Sequence, residues 1–204
     1  QVKAELAVID GISQEGTTVL RVGLLESGVN YFKGEGNYAN IRDDVIAFLQ
    51  WAKDNNVKIE FVLVDFLLAA RHPDALTNAV TRKAITQDFL GKLLRDIKAN
   101  PKAYTSLWGF DLYNEPEWSV SQNSGGGWEY VTGERPNQPI PIADMNAYFN
   151  EAYDTIKAIA PDKFVTVGVS AKHFSVISGI KDKLNYVALH HYAWMGALAN
   201  YLPR

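Results

Sequence analysis

The 204 residues carry a net charge of −3, are 47% hydrophobic and 21% charged, and include no cysteine. That length and apolar content suit one large domain or two small ones and exclude a disordered chain. The balanced charge argues against nucleic acid as a main partner. Without cysteine there is no disulfide framework, thiol nucleophile or Cys-type zinc site. No apolar run approaches the ~18 residues of a membrane span, and no signal-peptide pattern stands at Gln1. A start at Gln1 in place of Met fits a processed or trimmed chain.

Residues 2–12 fit a helix or a strand equally well, and residues 17–25 (TTVLRVGLL) read as a strand. Gly34-Glu35-Gly36-Asn37-Tyr38-Ala39 matches G-x-G-x-x-A. Residues 26–33 separate it from the strand, too far for the tight turn of a dinucleotide site, so it reads as a loop leading into a helix. The helical period then runs through residues 40–53, with Ile41, Val45, Phe48, Leu49 and Ala52 on one face. Residues 57–66 (VKIEFVLVDF) have the near-continuous apolar character of a strand buried on both faces. Residues 82–98 are helical through Ile85, Phe89, Leu93 and Ile97, and residues 106–114 are extended. A further helix over 144–160 stops at Pro161. Strands are predicted at 164–170 and 185–192, with a short helical stretch carrying Phe174, Ile177 and Ile180 between them.

Alternating strand and helix imply right-handed βαβ units and a parallel sheet, either an open doubly wound sheet or a (β/α)8 barrel. The one linker-like stretch, residues 117–143, is rich in Gly, Ser, Asn and Pro and follows a strand. It reads as an active-site loop insertion within a single domain spanning 1–204.

The strongest motif is Trp108-Gly-Phe-Asp-Leu-Tyr-Asn-Glu-Pro116. An apolar strand ends abruptly at Asn114-Glu115, and Pro116 stops the extension. A carboxylate at the carboxyl end of a parallel strand sits where such folds do chemistry. Trp108, Tyr113 and Trp118 around it are expected to raise its pKa, as a general acid requires. The plain alternative is a solvated glutamate in a turn.

With these residues the chain resembles the clan A glycoside hydrolases, and is most similar to family 5, the cellulases and β-mannanases. In that clan Asn-Glu-Pro at the end of barrel strand 4 carries the acid/base glutamate. Leu20-Arg21-Val22 resembles the family's strand 2, Phe164 to Gly168 its strand 5, and His190-His191-Tyr192 the His-x-Tyr after strand 6, with Trp194 just beyond. The resemblance implies a (β/α)8 TIM-type barrel and a retaining endo-β-glycanase acting on a β-1,4 polysaccharide such as mannan or cellulose, with no cofactor. It implies that Glu115 is acid/base, Asn114 binds the sugar 2-hydroxyl, Arg21 and Tyr192 steady the nucleophile, and His190 lines the subsite.

Two departures stand out. The histidine common after strand 3 is missing, residues 64–67 reading Val-Asp-Phe-Leu, with His72 further on. The nucleophilic glutamate of the family ends strand 7, and this chain stops soon after strand 6. About six strands are visible against the ~250 residues of a full barrel, with strands 7 and 8 and strand 1 in question. Retention requires two carboxyl groups about 5–5.5 Å apart; stand-ins for the second are Glu26, Asp65, Glu117 and Glu129. An incomplete barrel exposes strand edges that another chain or a second copy could complete. The competing class is a carbohydrate-binding relative that keeps half of a glycosidase site.

Trp118, Trp128, Tyr130 and Trp194 follow strands on the catalytic side, where aromatic faces stack on sugar rings; core packing is the alternative for each tryptophan. Trp51 and Trp108 are assigned to packing. His190 and His191 point to opposite sides of their strand, and without the resemblance either is a structural histidine. No His/carboxylate spacing suggests a metal. A polymeric substrate implies secretion.

Overall fold

The computed structural model describes residues 18–24, 37–65, 74–120, 140–170 and 174–191 of the chain. Strands and helices alternate: β1 (Thr18–Gly23), α1 (Tyr38–Asp54), β2 (Val57–Val62), α2 (Asp74–Thr77), α3, α4 (Pro101–Ser106), β3 (Leu107–Asn114), α5 (Ile142–Ile159), β4 (Phe164–Ser170) and β5 (Ala188–His190). The helix α3 joins three segments end to end, Ala79–Lys83, a π-helical Ala84–Leu90 and Gly91–Lys98. Single 3-10 turns occupy Pro116–Trp118 and Phe174–Ile177.

Asparagine starts three of these helices. Asn37 accepts from the Ala39 amide, Asn78 from Val80 and Thr81, and Asn100 from Ala103. Each side-chain oxygen satisfies an amide that the first helical turn leaves without a partner. The helix α4 lies where no element is expected between 98 and 106. Its signal was present in Asn100-Pro101, a cap followed by proline at the first helical position.

All four strand pairings are parallel, and the order is β1-β2-β3-β4-β5. Each strand is added beside its predecessor, without the reversal of a doubly wound sheet, so that alternative is set aside. The outer face is apolar: Ile59, Phe61, Phe110, Leu112, Val165, Val167 and Val169 join Leu49, Phe89, Leu94, Tyr148, Phe149 and Ile156 of the helices in one buried core. The opposite face carries Arg21, Glu60, Asp111 and Thr166. Three of these make bonds that skip strands, as a curved sheet favours. The Tyr186 hydroxyl, just before β5, donates to Glu60 on β2, although in a flat sheet those strands would lie about 14 Å apart. The Arg21 guanidinium on β1 reaches Asp111 on β3. The five strands form a half-barrel with a polar lumen, floored by Trp108 stacked on Phe164 at 4.6 Å and Phe164 edge-on to Tyr186 at 6.3 Å.

Glu60 is 5% exposed. Burial, helped by the charge of Asp111 and opposed by Arg21, pushes its carboxyl up to about 7. A folded pKa above the unfolded one gives stability that is full below about pH 4.5 and lost as pH rises to about 7. Glu60→Gln keeps an acceptor for Tyr186 and removes this titration. Its urea midpoint is therefore expected to overtake the native protein's between pH 5 and pH 8, by roughly 3 kcal/mol at the upper limit. Parallel pH profiles for the two proteins would refute this.

Candidate active site

In a regular strand Asp111 and Asn114, three apart, point to opposite faces. Here both reach Arg21. Its Nε and Nη2 donate to Asp111 Oδ2 at 3.0 and 2.6 Å, and Nη2 also donates to Asn114 Oδ1 at 2.9 Å. The cause is an irregularity in β3: Asp111 pairs with Thr166 and Asn114 with Gly168, so three steps on β3 oppose two on β4. A bulge of this kind re-aims the side chain beyond it. With Oδ1 held by Arg21, the Asn114 amide nitrogen is left to face away from the guanidinium. Asp111 is fully buried and also accepts from the amides of Gly168 at 2.9 Å and Tyr113 at 3.1 Å.

Glu115 follows at the carboxyl end of β3, with φ 54° and ψ 59°. This left-handed conformation is uncommon for a residue with a Cβ, and the residue before a proline favours extended backbone instead. The turn points the side chain along the lumen, where it is 6% exposed. Its Oε1 lies 2.8 Å from His190 Nδ1 on β5, and its Oε2 accepts from Trp118 Nε1 at 2.9 Å. Two side chains from different elements thus hold the two oxygens of one carboxyl.

Gly168 lies under this cluster. A Cβ there would meet Asp111 Oδ2 and His190 Nε2 at 2.8 Å and Arg21 Nη2 at 3.0 Å. The missing side chain is what lets the guanidinium, the buried carboxylate and the imidazole converge. Gly168→Ala is expected to destabilise by about 1–3 kcal/mol through overpacking and to displace His190 from Glu115. A melting temperature unchanged from the native protein's would contradict this.

Of the residues singled out from sequence, Arg21, Asn114, Glu115, Trp118 and His190 are brought together. Tyr192, Trp128 and Trp194 lie outside the described residues, as do residues 1–17, Glu26, Gly34, Gly36, His72, Glu129 and Tyr130. The aromatics expected around Glu115 separate. Trp118 bonds to it, Trp108 stacks on Phe164, and Tyr113 turns toward the helices, its hydroxyl 2.6 Å from Ser119 Oγ and its ring edge-on to Tyr148. Glu117, read as part of an open loop and a stand-in nucleophile, has no exposed surface; its Oε1 accepts from the Ser170 amide at 2.7 Å. Asp65 bridges to Asn114 across the strand ends and is 5% exposed. Glu60 pairs with Gly109, six residues before Glu115, roughly 15–20 Å along the strand and out of reach of its chemistry. Asp111 and Gly168 were missed. A charged residue inside an apolar strand, and a glycine in the middle of FVTVGVS, were the available signals.

Residues 119–120 and 140 close the base of the long loop. Val120 and Ile140 form an isolated parallel bridge, and the Ile140 amide donates to Ser119 O at 2.8 Å. Among the described residues no group of His, Asp and Glu side chains could hold a metal ion, and no helix is long and apolar enough to cross a membrane.

A family model described as cellulase (glycosyl hydrolase family 5) matches residues 1–198. No curated protein matches. Among solved structures, the chain is similar to an endo-1,4-beta-mannanase from Eisenia fetida, with 23% identity and a TM-score of 0.68 over 97% of this chain and 63% of that one. It is also similar to a beta-1,4-D-mannanase from Cryptopygus antarcticus (18%, 0.65, 93% and 60%) and to a beta-mannanase from the blue mussel Mytilus edulis (18%, 0.64, 91% and 62%). At these identities the likeness establishes the fold. The chain spans 60–63% of the length of those three structures.

Proposed function

The chain belongs to glycosyl hydrolase family 5, and from that membership we propose that it is a retaining endo-β-glycanase, cleaving a β-1,4-linked polysaccharide of mannan or cellulose type. The observation that carries the reading is the Glu115 carboxyl, set at a strand's carboxyl end and held by His190 and Trp118. Glu115 first protonates the glycosidic oxygen as the bond to the leaving sugar breaks and a second carboxylate, of the kind retention requires, bonds to the anomeric carbon. As a carboxylate it then takes a proton from the water that attacks the glycosyl intermediate. The Asn114 amide nitrogen, oriented by Arg21, donates to a sugar hydroxyl beside that bond. Trp118, partly exposed, offers the rest of its ring to a sugar face. A substrate too large to enter a cell implies secretion. Mannan is the first substrate to try, since the structural likenesses named above are mannanases.

A second reading, saccharide binding without hydrolysis, is favoured by one observation. Glu117, the carboxylate nearest Glu115 in the chain, has no exposed surface, whereas a nucleophile must reach the anomeric carbon. Reducing-sugar release from mannan, xyloglucan and carboxymethyl-cellulose, with proton NMR of the first anomer formed, separates the readings. Early β-anomer supports the proposal, early α-anomer overturns retention, and binding without release supports the second reading.

A further inference from the structure

The ladder between β3 and β4 breaks where Glu115 turns. In a parallel ladder a residue donates its amide to one residue of the neighbouring strand, and its carbonyl accepts from the residue two further on. Glu115 makes the first of these bonds, its amide donating to Gly168 O at 2.8 Å. The second would bring the Ser170 amide to the Glu115 carbonyl. The left-handed turn has swung that carbonyl away, and it accepts from the Trp118 amide at 3.1 Å instead. The Ser170 amide, fully buried, donates to Glu117 Oε1 at 2.7 Å. A side-chain carboxyl thus takes the place of the ladder carbonyl that the turn removes.

We propose that Glu117 is a positioning residue that fastens the Glu115 turn to β4, so that the acid/base carboxyl is held in a backbone conformation it would otherwise leave. The proposal rests on the reading of Glu115 given above. A left-handed residue before proline costs about 1–3 kcal/mol and persists only where its surroundings over-determine it. Glu117 supplies that constraint from two residues away, from the same 3-10 turn whose Trp118 holds the Glu115 side chain. One step down the sheet the same device recurs: the Gly168 amide donates to Asp111 Oδ1, where the bulge interrupts the ladder. The two β4 amides flanking Val169 are therefore both satisfied by carboxyl side chains, one on each side of Glu115 along the chain. Burial, reinforced by the adjacent Glu115 charge, pushes the Glu117 carboxyl up to about 8, against the pull of its amide bonds. Glutamine imitates the protonated form that this shift favours.

The test compares Glu117→Gln, Glu117→Asp and Glu117→Ala, with Glu115→Gln alongside. Glutamine keeps an acceptor at full reach, so kcat on mannan is expected to stay within about threefold of native. Aspartate is one methylene too short and alanine has no acceptor; both are expected to lose about 100-fold in kcat, the cost of roughly 1 Å of misplacement, with KM little changed. Amide hydrogen exchange at Ser170 and Glu115 is expected to accelerate in the aspartate and alanine variants and not in the glutamine one. This readout needs no turnover. Unchanged exchange at both amides in Glu117→Asp overturns the proposal, as does full kcat in that variant while Glu115→Gln is inactive. Activity surviving in Glu115→Gln instead overturns the acid/base assignment and leaves the exchange result standing. If alanine does not fold, the aspartate and glutamine pair decides.

Discussion

Glu115→Gln is expected to lower kcat on an unactivated β-glycan by about 10²–10⁴-fold, the usual contribution of a positioned proton donor. The melting temperature should stay within a few degrees of native. The substitution is nearly isosteric and leaves the left-handed backbone as it is, and the glutamine oxygen still accepts from Trp118 Nε1. What disappears is the proton. The loss in kcat/KM, which reports the first step alone, should therefore depend on the leaving group: large for a sugar alkoxide, small for a dinitrophenyl glycoside whose phenolate departs unaided. Measuring kcat/KM for both substrate types, beside a thermal melt, checks the assignment. An equal loss on both substrates would mean that Glu115 acts in some way other than by donating a proton.

Asp111→Ala is expected to have the largest effect on stability, about 3–5 kcal/mol, because it breaks a charge pair at its buried partner. Asp111 has no exposed surface and accepts four hydrogen bonds, two from Arg21 and one each from the Gly168 and Tyr113 amides. Removal leaves two buried amides without their acceptor, each worth about 1–3 kcal/mol. The Arg21 side chain is 36% exposed and recovers part of its hydration, which keeps the sum within that range. Against a typical total of about 5–15 kcal/mol, such a loss is severe. Urea unfolding at neutral pH reads it as a lower midpoint at unchanged slope, and a loss under about 1 kcal/mol would show that the network is not what holds β1 to β3.

Much of the scaffold was readable from residue order. The strand-like runs at 57–66, 106–114 and 164–170 and the helical periods at 40–53 and 144–160 correspond to β2, β3, β4, α1 and α5 within a few residues. Asn-Glu-Pro marked a strand end because proline removes an amide. The parts that were not readable depend on the neighbouring strand. Strict alternation separates Asp111 from Asn114, and only the register against Thr166 and Gly168 shows the bulge that unites them. Glu117 looked solvated because it stands at the head of a polar loop; its burial comes from Ser170, 53 positions later. Glu60 and Tyr186, 126 positions apart, carry no local sign that they meet. The opening assignment at residues 2–12 and the dinucleotide-like glycines at 34 and 36 lie outside the described residues.

The pinch between Val120 and Ile140 has a use beyond holding the base of a loop. Because the chain leaves and returns through one pair of paired backbones, the positions of Val120 and Ile140 are set by each other. Loop-closure cost grows slowly with length, so insertions between them are expected to leave the Glu115 turn, five residues upstream, undisturbed. Tolerance to a change of length on one side of the clasp is thereby separated from the strained backbone on the other.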